Sequence, residues 1–263
     1  MSAGDNARVL RDLNRAVDEG NPVVLATIVA TKRSVPRRAG TKMLVFADGS
    51  SQGTVGGGEM EAKVVAAALE SLRNHKPQLV DYELVNPQEG DPGICGGSLT
   101  LYLEPYMPPH NVYVIGCGHV GRAVIDLAHW LGYRTIAIDD RPDLVSAESL
   151  PNADVRFAGS VGEALQANPV SEDSSIVVVT RSPEVDIRIL PSLLNTPARY
   201  IGVMGSRNRW RSTREQLEAD GVAVEQFERL HVPIGIEINA ETLEEIAVSI
   251  MSEVVSVNRS GDD

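Results

Sequence analysis

The stretch NVYVIGCGHVG, residues 111–121, decides the fold of the second half of this chain. Its apolar, strand-like start leads directly into the pattern G-x-G-x-x-G, and an amphipathic helix is expected from there to Leu131. Asp139 stands at the end of the next strand-like run, 134–138. A glycine pattern between a strand and a helix, with an acidic residue after the following strand, is typical of a Rossmann-type nucleotide-binding unit.

Each position of this glycine pattern has a physical role in holding a phosphate. Gly116 is expected to make the tight turn, Gly118 to leave room for a pyrophosphate, and Gly121 to let the helix pack closely on the strand. The helix is expected to begin at Cys117, so that His119 lies in its first turn, and its N-terminus favours negative charge. The pattern therefore predicts a nucleotide-phosphate site, although a Rossmann scaffold that has lost its ligand would keep the same glycines.

Two further groups of residues are expected at the same edge of the sheet, because ligands bind where parallel strands end. Asp139 is suited to accept a hydrogen bond from a ribose hydroxyl, whereas Arg141 is suited to meet a phosphate. Gly205, Ser206 and Arg207 follow another strand-like run. Ser206 either contributes to binding or caps the helix that follows. Arg207 is expected at the start of this helix, where its positive charge opposes the helix dipole. A bound anion or a carboxylate is therefore expected to hold it there.

The order of predicted elements indicates two domains. The segment 105–110 contains Pro108 and Pro109 and is interpreted as a linker. Strands alternate with helices after it, which predicts a parallel, doubly wound sheet. We therefore expect an α/β fold, with an N-terminal α/β domain over residues 1–107 and a C-terminal Rossmann-type domain over residues 111–263.

The first domain offers two glycine-rich turns and a basic island. Gly57 and Gly58 open a predicted helix, whose backbone N–H groups can bind an anion. Cys95 lies among glycines in a predicted loop, where open backbone donors favour a reactive thiolate, although small buried cysteines are common without a function. The basic island predicts a small anionic ligand, an acidic partner protein or simply a solvated loop. It consists of Lys32, Arg33, Arg37, Arg38 and Lys42.

Composition excludes several classes of function. The formal net charge of −12 argues against a surface for nucleic acid or for an anionic membrane, since both depend on positive charge. No apolar run approaches the ~20 residues of a membrane span, and the N-terminus lacks a signal-peptide pattern. Cys95 and Cys117 lie in different glycine-rich turns, so no disulfide is expected, and the reducing cytoplasm is the expected location. No metal-binding spacing of the Cys-x-x-Cys or His-Glu-x-x-His kind occurs.

In their order along the chain, these motifs resemble the XdhC/CoxI family, accessory proteins in the maturation of molybdenum hydroxylases such as xanthine dehydrogenase. The resemblance spans nearly the whole chain. Its first-domain motifs are SVPR at 34–37, GTKMLV at 40–45, GTVGGG at 53–58 with Glu61, and ICGG at 94–97. Its second-domain motifs are GCGHVG at 116–121, DDRP at 139–142, YIGVMGSR at 200–207, PIGI at 233–236 and EIAVSI at 245–250.

The resemblance implies a cofactor chaperone rather than a turnover enzyme. Such a protein would bind the molybdenum cofactor (molybdopterin) as cargo, assist its sulfuration and deliver it to an apo molybdenum hydroxylase, with a cysteine desulfurase as a further candidate partner. We also expect a homo-oligomer. In the first domain the resemblance implies cofactor binding at Arg37, Gly57, Gly58 and Glu61. Cys95 is the candidate thiol that ligates molybdenum or carries the sulfur.

The chain departs from the family pattern at three places. Arg33 replaces a glycine, Glu59 stands where many members carry a cysteine, and the segment 180–183, TRSP, replaces a common Thr-His-x-His. These departures indicate a divergent subgroup with a different client enzyme. Two alternatives stay open: an NAD(P)-dependent oxidoreductase that uses the glycine pattern at 116–121, and a nucleotide-sensing regulator. Against the oxidoreductase stands the lack of an evident proton donor such as a Tyr-x-x-x-Lys pair.

Overall fold

The chain consists of two compact units, which are divided between Pro108 and Pro109. The computed structural model describes residues 3–83 and 97–260. Each unit has its own sheet and its own apolar core. Within these ranges no helix combines the length and the hydropathy that a membrane span requires.

The first unit is an antiparallel sheet between two helices. Along the chain its described elements are α1 (Ala3–Asp18), β1 (Val23–Lys32), β2 (Lys42–Phe46), β3 (Ser51–Gly53), α2 (Gly58–Asn74), β4 (Gln78–Glu83) and β5 (Ser98–Tyr106). The strand order is β3-β2-β1-β5-β4, and every neighbouring pair runs antiparallel.

The central strand β1 explains why this sheet is covered on both faces. Val23 and Leu25 belong to the apolar cluster that contains Leu13 of α1, whereas Val24 and Ala26 belong to the cluster to which α2 contributes. Successive side chains of a strand point to opposite faces, so both faces need a covering layer to become buried. The result is a three-layer arrangement with the sheet in the middle.

One end of this sheet gathers the loops that carry the first-domain motifs. β1 ends where β5 begins, because Lys32 pairs with Ser98. β2 begins where β3 ends, at the same end of the sheet. The basic loop 33–41 and the glycine-rich turn 54–57 therefore lie together.

The second unit is a parallel sheet with helices on both faces. Its elements are β6 (Asn111–Ile115), α3 (His119–Trp130), β7 (Arg134–Asp139), β8 (Val155–Ala158), α4 (Val161–Ala167), β9 (Ser175–Val178), α5 (Pro183–Leu194), β10 (Tyr200–Val203), α6 (Arg207–Ala219), β11 (Leu230–His231) and α7 (Leu243–Arg259). Short 3-10 helices lie at Pro142–Val145 and Val224–Arg229. The strand order is β8-β7-β6-β9-β10-β11, which is the order of a dinucleotide-binding Rossmann fold. The predicted fold class, with a doubly wound parallel sheet, is confirmed.

The direction of winding changes beside β6, the first strand of this unit. Val112 and Val114 pack into a cluster with α3 and α7, whereas Tyr113 and Ile115 pack into a cluster with α4, α5 and α6. The chain builds outward from β6 to β7 and β8 on one side and to β9, β10 and β11 on the other. A crevice forms at such a switch point, outside the carboxyl ends of the strands.

Candidate functional site at the carboxyl edge of the Rossmann unit

The three glycines between β6 and α3 stand in three different environments. Gly116 has a φ of 102°, and a Cβ there would lie 2.6 Å from the carbonyl oxygen of Val179. A Cβ at Gly121 would lie 2.0 Å from the carbonyl oxygen of Gly116. At Gly118 no atom of the described residues lies within 4 Å of the position that a Cβ would take. The fold therefore requires the first and third glycines, whereas the second borders open space where a ligand can approach the backbone.

The N-terminus of α3 offers backbone donors at this open position. Gly118 is the N-cap residue, so no side chain caps the helix, and the first turn contains no acidic residue. His119, the first residue of the helix, is exposed. Uncapped N–H groups at a helix start donate to water or to ligand oxygens, and the helix dipole favours negative charge there. This arrangement suits a phosphate.

Asp139 fixes the turn to the end of β7. Its side chain is 2% exposed. Oδ2 accepts hydrogen bonds from the backbone N–H of Cys117 and from Nη2 of Arg141, both at 2.8 Å. Oδ1 accepts from the backbone N–H of Arg141 at 3.0 Å and from its Nε at 2.8 Å. Burial by itself raises the pKa of this carboxyl, but the hydrogen bonds from Arg141 and Cys117 outweigh burial, and the net pKa is lowered.

These bonds decide what Asp139 can do for a ligand. A carboxylate has about four acceptor positions, and donors of the chain itself occupy four. A ribose hydroxyl must therefore share or displace the guanidinium of Arg141 before it can bond to Asp139. In this structure the carboxylate orders the glycine turn and the arginine beside it.

A second ion pair lies next to the first. Arg181 binds Asp140 in the bidentate manner, Nη1 to Oδ1 at 2.8 Å and Nη2 to Oδ2 at 2.9 Å. Nη2 of Arg188 lies 3.9 Å from Oδ2 of the same carboxylate. The hydrogen bonds from Arg181 lower the pKa of Asp140 to about 2. Asp140 therefore stays charged throughout the physiological range.

Both ion pairs border a cavity of about 470 Å³ at the carboxyl ends of β6, β7 and β9. This volume lies within the range of small-molecule sites. Of the residues predicted to bind a cofactor, Gly116, Asp139 and Arg141 line it. Its apolar wall is formed by Ile115, Ile138, Val185 and Ile189, and its polar rim includes Asp140, Ser160, Thr180, Arg181, Arg188 and Ser192.

The turn after β10 lies at the same sheet edge but does not line the cavity. The hydroxyl of Ser206 accepts from the backbone N–H of Arg209 at 3.2 Å and so caps α6. Gly205 lies against the side chain of Arg209, since a Cβ would stand 3.0 Å from its Cδ. Arg207 is exposed. The cap is one of the two roles expected for Ser206, and Arg207 is the charged group of this turn that a ligand can reach.

A buried ion pair behind the cavity escaped sequence reasoning. Asp186 is 1% exposed, and its Oδ2 accepts from Nη2 and Nε of Arg209 at 2.5 and 3.2 Å. Its other oxygen accepts from the hydroxyl of Thr180, which lines the cavity. The pair joins α5 to α6 and fixes the loop after β9. An acidic residue in the first turn of a helix is ordinary, so the sequence gives no sign that Asp186 is buried and paired.

A second network that sequence reasoning missed ties α7 to the edge of the sheet. Glu253 accepts from the hydroxyl of Tyr200 at 2.6 Å and from the backbone N–H of Gly235 at 2.7 Å, and its other oxygen lies 3.0 Å from Nδ1 of His231. Tyr200 is fully buried, and burial together with the bond to Glu253 raises its pKa. The network explains why the loop after β11 returns to the end of β10.

In the first unit, Glu61 fills the glycine-rich turn with its own carboxylate. Oε1 accepts from the hydroxyl of Thr54 at 2.5 Å and from the backbone N–H groups of Val55 and Gly57 at 3.1 and 3.0 Å. Gly57 and Gly58 have φ values of 90° and 62°, which favour glycine. Convergent backbone donors of this kind form an anion-binding nest. A ligand oxygen must displace Glu61 to use it.

The basic island lies beside this turn, since a Cβ at Gly56 would stand 3.2 Å from Cγ of Pro36. Nζ of Lys42 donates to the hydroxyl of Thr27 at 3.0 Å. The other four cations of the island form no salt bridge or side-chain hydrogen bond with another described residue. These four are Lys32, Arg33, Arg37 and Arg38. Among the described residues, therefore, no carboxylate neutralises these four cations at this end of the sheet.

The structure describes one of the two cysteines, Cys117. Cys95 lies outside the described residues. Cys117 is 4% exposed, and burial, followed by the charge of Asp139, raises the pKa of its thiol to about 12. A thiol that stays protonated at neutral pH is a poor nucleophile and a poor metal ligand.

Two family models match the chain, one in each unit. The model described as the XdhC and CoxI family matches residues 16–83, and the model described as the XdhC Rossmann domain matches residues 112–254.

Similar proteins include two from Escherichia coli K12. The uncharacterized protein YqeB is 32% identical over 92% of this chain and 45% of its own length, so the chain spans about half of that relative. The molybdenum cofactor insertion chaperone PaoD is 22% identical over 96% of this chain and 89% of its own length.

A solved structure shares the fold. It is the crystal structure of a xanthine dehydrogenase from Bacillus halodurans, which matches 95% of this chain and 96% of its own with a TM-score of 0.53 and 21% identity. The Rossmann-domain match alone covers more than half of the sequence, and it confirms the resemblance found in the motifs. The chain belongs to the XdhC and CoxI family.

Proposed function

We propose that this chain is a maturation factor for a molybdenum hydroxylase, which binds the molybdenum cofactor, assists its sulfuration and inserts it into the apo-enzyme. Membership of the XdhC and CoxI family supports the maturation role, and a relative that matches almost the full chain is a molybdenum cofactor insertion chaperone. The observation that carries the binding step is the open backbone at Gly118, where an uncapped helix start stands ready for a phosphate.

The cargo suits the chemistry of this sheet edge. The molybdenum cofactor is an anionic, phosphorylated pterin, so it needs donors for a phosphate and a surface for a flat ring. The N-terminus of α3 supplies the donors, with Gly118 leaving the approach free. The apolar wall at Ile115, Ile138 and Ile189 supplies the surface.

The first unit is proposed to attract the same anionic cargo and to serve its sulfuration. Arg37 belongs to a loop whose arginines form no salt bridge with another described residue, beside the turn that contains Gly57, Gly58 and Glu61. Cys95 is proposed as the thiol that ligates molybdenum or carries sulfur, because the pKa of Cys117 leaves that residue protonated. The proposed partners are the apo molybdenum hydroxylase and a cysteine desulfurase.

The test is activation of an apo molybdenum hydroxylase by isolated cofactor, with and without this protein, in the presence of a cysteine desulfurase. The proposal expects faster and more complete activation with the wild-type chain. Cys95→Ser should still bind cofactor but lose most of the activation, whereas the matched control Cys117→Ser should retain it. Activation at the same rate and yield without the chain would contradict the proposal.

An NAD(P)-dependent oxidoreductase is the second candidate, because the strand order and the glycine turn are also those of dinucleotide-binding domains. The two candidates differ in turnover. The chaperone should bind its cargo without steady-state hydride transfer from purines, aldehydes or simple alcohols to a nicotinamide. Robust turnover that Gly118→Val abolishes would favour the oxidoreductase.

A further inference from the structure

The segment 236–248, which joins the loop after β11 to the first turns of α7, concentrates exposed apolar side chains. Eleven large apolar side chains are exposed in the described part of the chain, and four of them lie in this short segment. They are Ile236, Ile238, Leu243 and Val248, each between 40% and 46% exposed. Single exposed apolar residues are ordinary, whereas a concentration of them rimmed by polar groups marks a surface where another molecule docks.

Carboxylates accompany these apolar side chains. The segment contains Glu237, Glu241, Glu244 and Glu245 and neither lysine nor arginine. All four glutamates are exposed, and none of them forms a salt bridge with another described residue. The segment therefore joins an apolar surface to four negative charges that no described cation neutralises.

Hydrogen bonds hold the segment in one conformation before any partner binds. The backbone N–H of Ile236 donates to the carbonyl oxygen of Ser249 at 3.3 Å, and the hydroxyl of Ser249 donates to the carbonyl oxygen of Ile236 at 2.6 Å. Thr242 and Glu245 form a capping box at the start of α7. A surface that is already ordered loses little conformational entropy on binding, so its apolar area contributes more fully to affinity.

The segment lies at the carboxyl edge of the parallel sheet. The backbone N–H of Ile234, just before it, donates to the carbonyl oxygen of Val203 at the end of β10. At the other end of α7, Asn258 accepts from the hydroxyl of Ser175 at the start of β9. The helix α7 therefore runs from the carboxyl edge to the amino edge, and a partner seated on its first turns stands at the same edge as Gly118.

We propose that the segment 236–248 is a docking surface for a partner protein that presents apolar side chains flanked by lysines or arginines. The apolar side chains of the partner cover those of the segment, and its cations meet the four carboxylates. Complementary charge steers such a partner to the surface and rejects an acidic one. An anionic membrane, which also takes up apolar side chains, is repelled by the same carboxylates. The inference rests on the proposed function only where the partner is taken to be the apo-enzyme.

The probe is a fluorescently labelled amphipathic helical peptide of leucine and lysine, titrated with the full chain and followed by anisotropy. Two matched peptides separate the contributions, one with glutamate in place of lysine and one with serine in place of leucine. The leucine–lysine peptide should bind at least about tenfold tighter than either, because it alone matches both the apolar and the acidic part of the surface. Its affinity should fall as the salt concentration rises.

Two variants and two matched controls locate the binding. Val248→Ser should weaken binding about fivefold, because an apolar contact is lost, and Glu241→Lys about tenfold, because attraction becomes repulsion. The controls are Val224→Ser and Glu225→Lys, in a 3-10 helix whose core residue packs on the opposite face of the sheet from α7. They remove equally exposed side chains and change the net charge equally, so they should leave the affinity almost unchanged. Thermal melting verifies that all four variants fold.

Equal affinity for the three peptides, or equal losses in the test and control variants, would overturn the proposal. A dimeric wild-type chain that Val248→Ser converts to a monomer would also overturn it, because a second copy would then cover the surface. These outcomes are separable from failure of the proposed function. If a client enzyme is activated but the peptides show no preference, the docking surface is wrong and the maturation role stands. If the peptides and variants behave as expected but no client is activated, the docking surface stands and the maturation role is wrong.

Discussion

Replacing Asp139 by Asn should destabilise the second unit by about 3 kcal/mol. The carboxylate accepts four hydrogen bonds, two of them from the guanidinium of Arg141. An amide of the same shape keeps one acceptor oxygen but presents its own N–H groups to the donors on the other side. Two bonds to a charged group are therefore lost, each worth about 1.5–3 kcal/mol. The side chain of Arg141 is 40% exposed, so water compensates part of the loss and the lower end of the range applies.

Urea unfolding at pH 7 measures this loss as a difference in the free energy of unfolding. The matched control is Asp143→Asn, since Asp143 is an exposed carboxylate in the same loop, and it should change the free energy by less than about 0.5 kcal/mol. If the two variants lose the same amount, Asp139 does not order the glycine turn.

The difference between wild type and Asp139→Asn should also depend on pH. The folded-state pKa of Asp139 lies below the unfolded value of 3.8, so its carboxylate stabilises the fold fully above that value. The contribution is lost as the pH falls through the folded-state pKa. The two proteins should therefore converge in stability once the pH has fallen below the folded-state pKa of Asp139. A constant difference down to acid unfolding would contradict this reading.

Three other substitutions test separate parts of the account. Arg209→Gln leaves the buried carboxylate of Asp186 without its cation, so the free energy of unfolding in urea should fall by about 3 kcal/mol. The exposed control Arg211→Gln should leave it almost unchanged, and equal losses in the two variants would refute the pairing. Arg33→Gly should stabilise the first unit by about 0.5–1 kcal/mol, because Arg33 has a φ of 59°, which glycine adopts without strain. The control Arg38→Gly should destabilise the unit, and lower stability in both variants would show that no strain is stored at Arg33. In the folded protein at pH 8, iodoacetamide should label Cys95 but not Cys117, because burial raises the pKa of the Cys117 thiol to about 12. Mass spectrometry locates the label, and a label on Cys117 would contradict the burial of that thiol.

The architecture follows from local signals wherever these are strong. The glycine pattern at 116–121 and the apolar run around Val177 identify a Rossmann unit, because both depend only on neighbours in sequence. The segment between Arg141 and Asp173 gives no comparable signal. Its strand β8 and helix α4 are short, so neither develops a clear period, and their positions come from pairing with β7 and packing on the sheet.

The site was harder to predict than the fold, because its side chains are joined over long distances in sequence. Asp139 is a reasonable ribose acceptor by position, but only the structure shows that Cys117 and Arg141 occupy its oxygens. Glu253 and Tyr200 are 53 residues apart. No periodic pattern records such a pairing, since each residue taken alone fits an ordinary helix or strand.

The most direct test of the central claim is the dissociation constant of isolated molybdenum cofactor for the wild-type chain and for Gly118→Val. Gly118 has φ −71° and ψ −162°, which other residues adopt, and no atom of the described chain stands within 4 Å of its Cβ position, so the variant should melt like wild type. A branched side chain at the open backbone should nevertheless weaken binding at least ~100-fold, with Gly118→Ala in between. Equal affinity of the folded Gly118→Val variant and the wild type would contradict cargo binding at this turn.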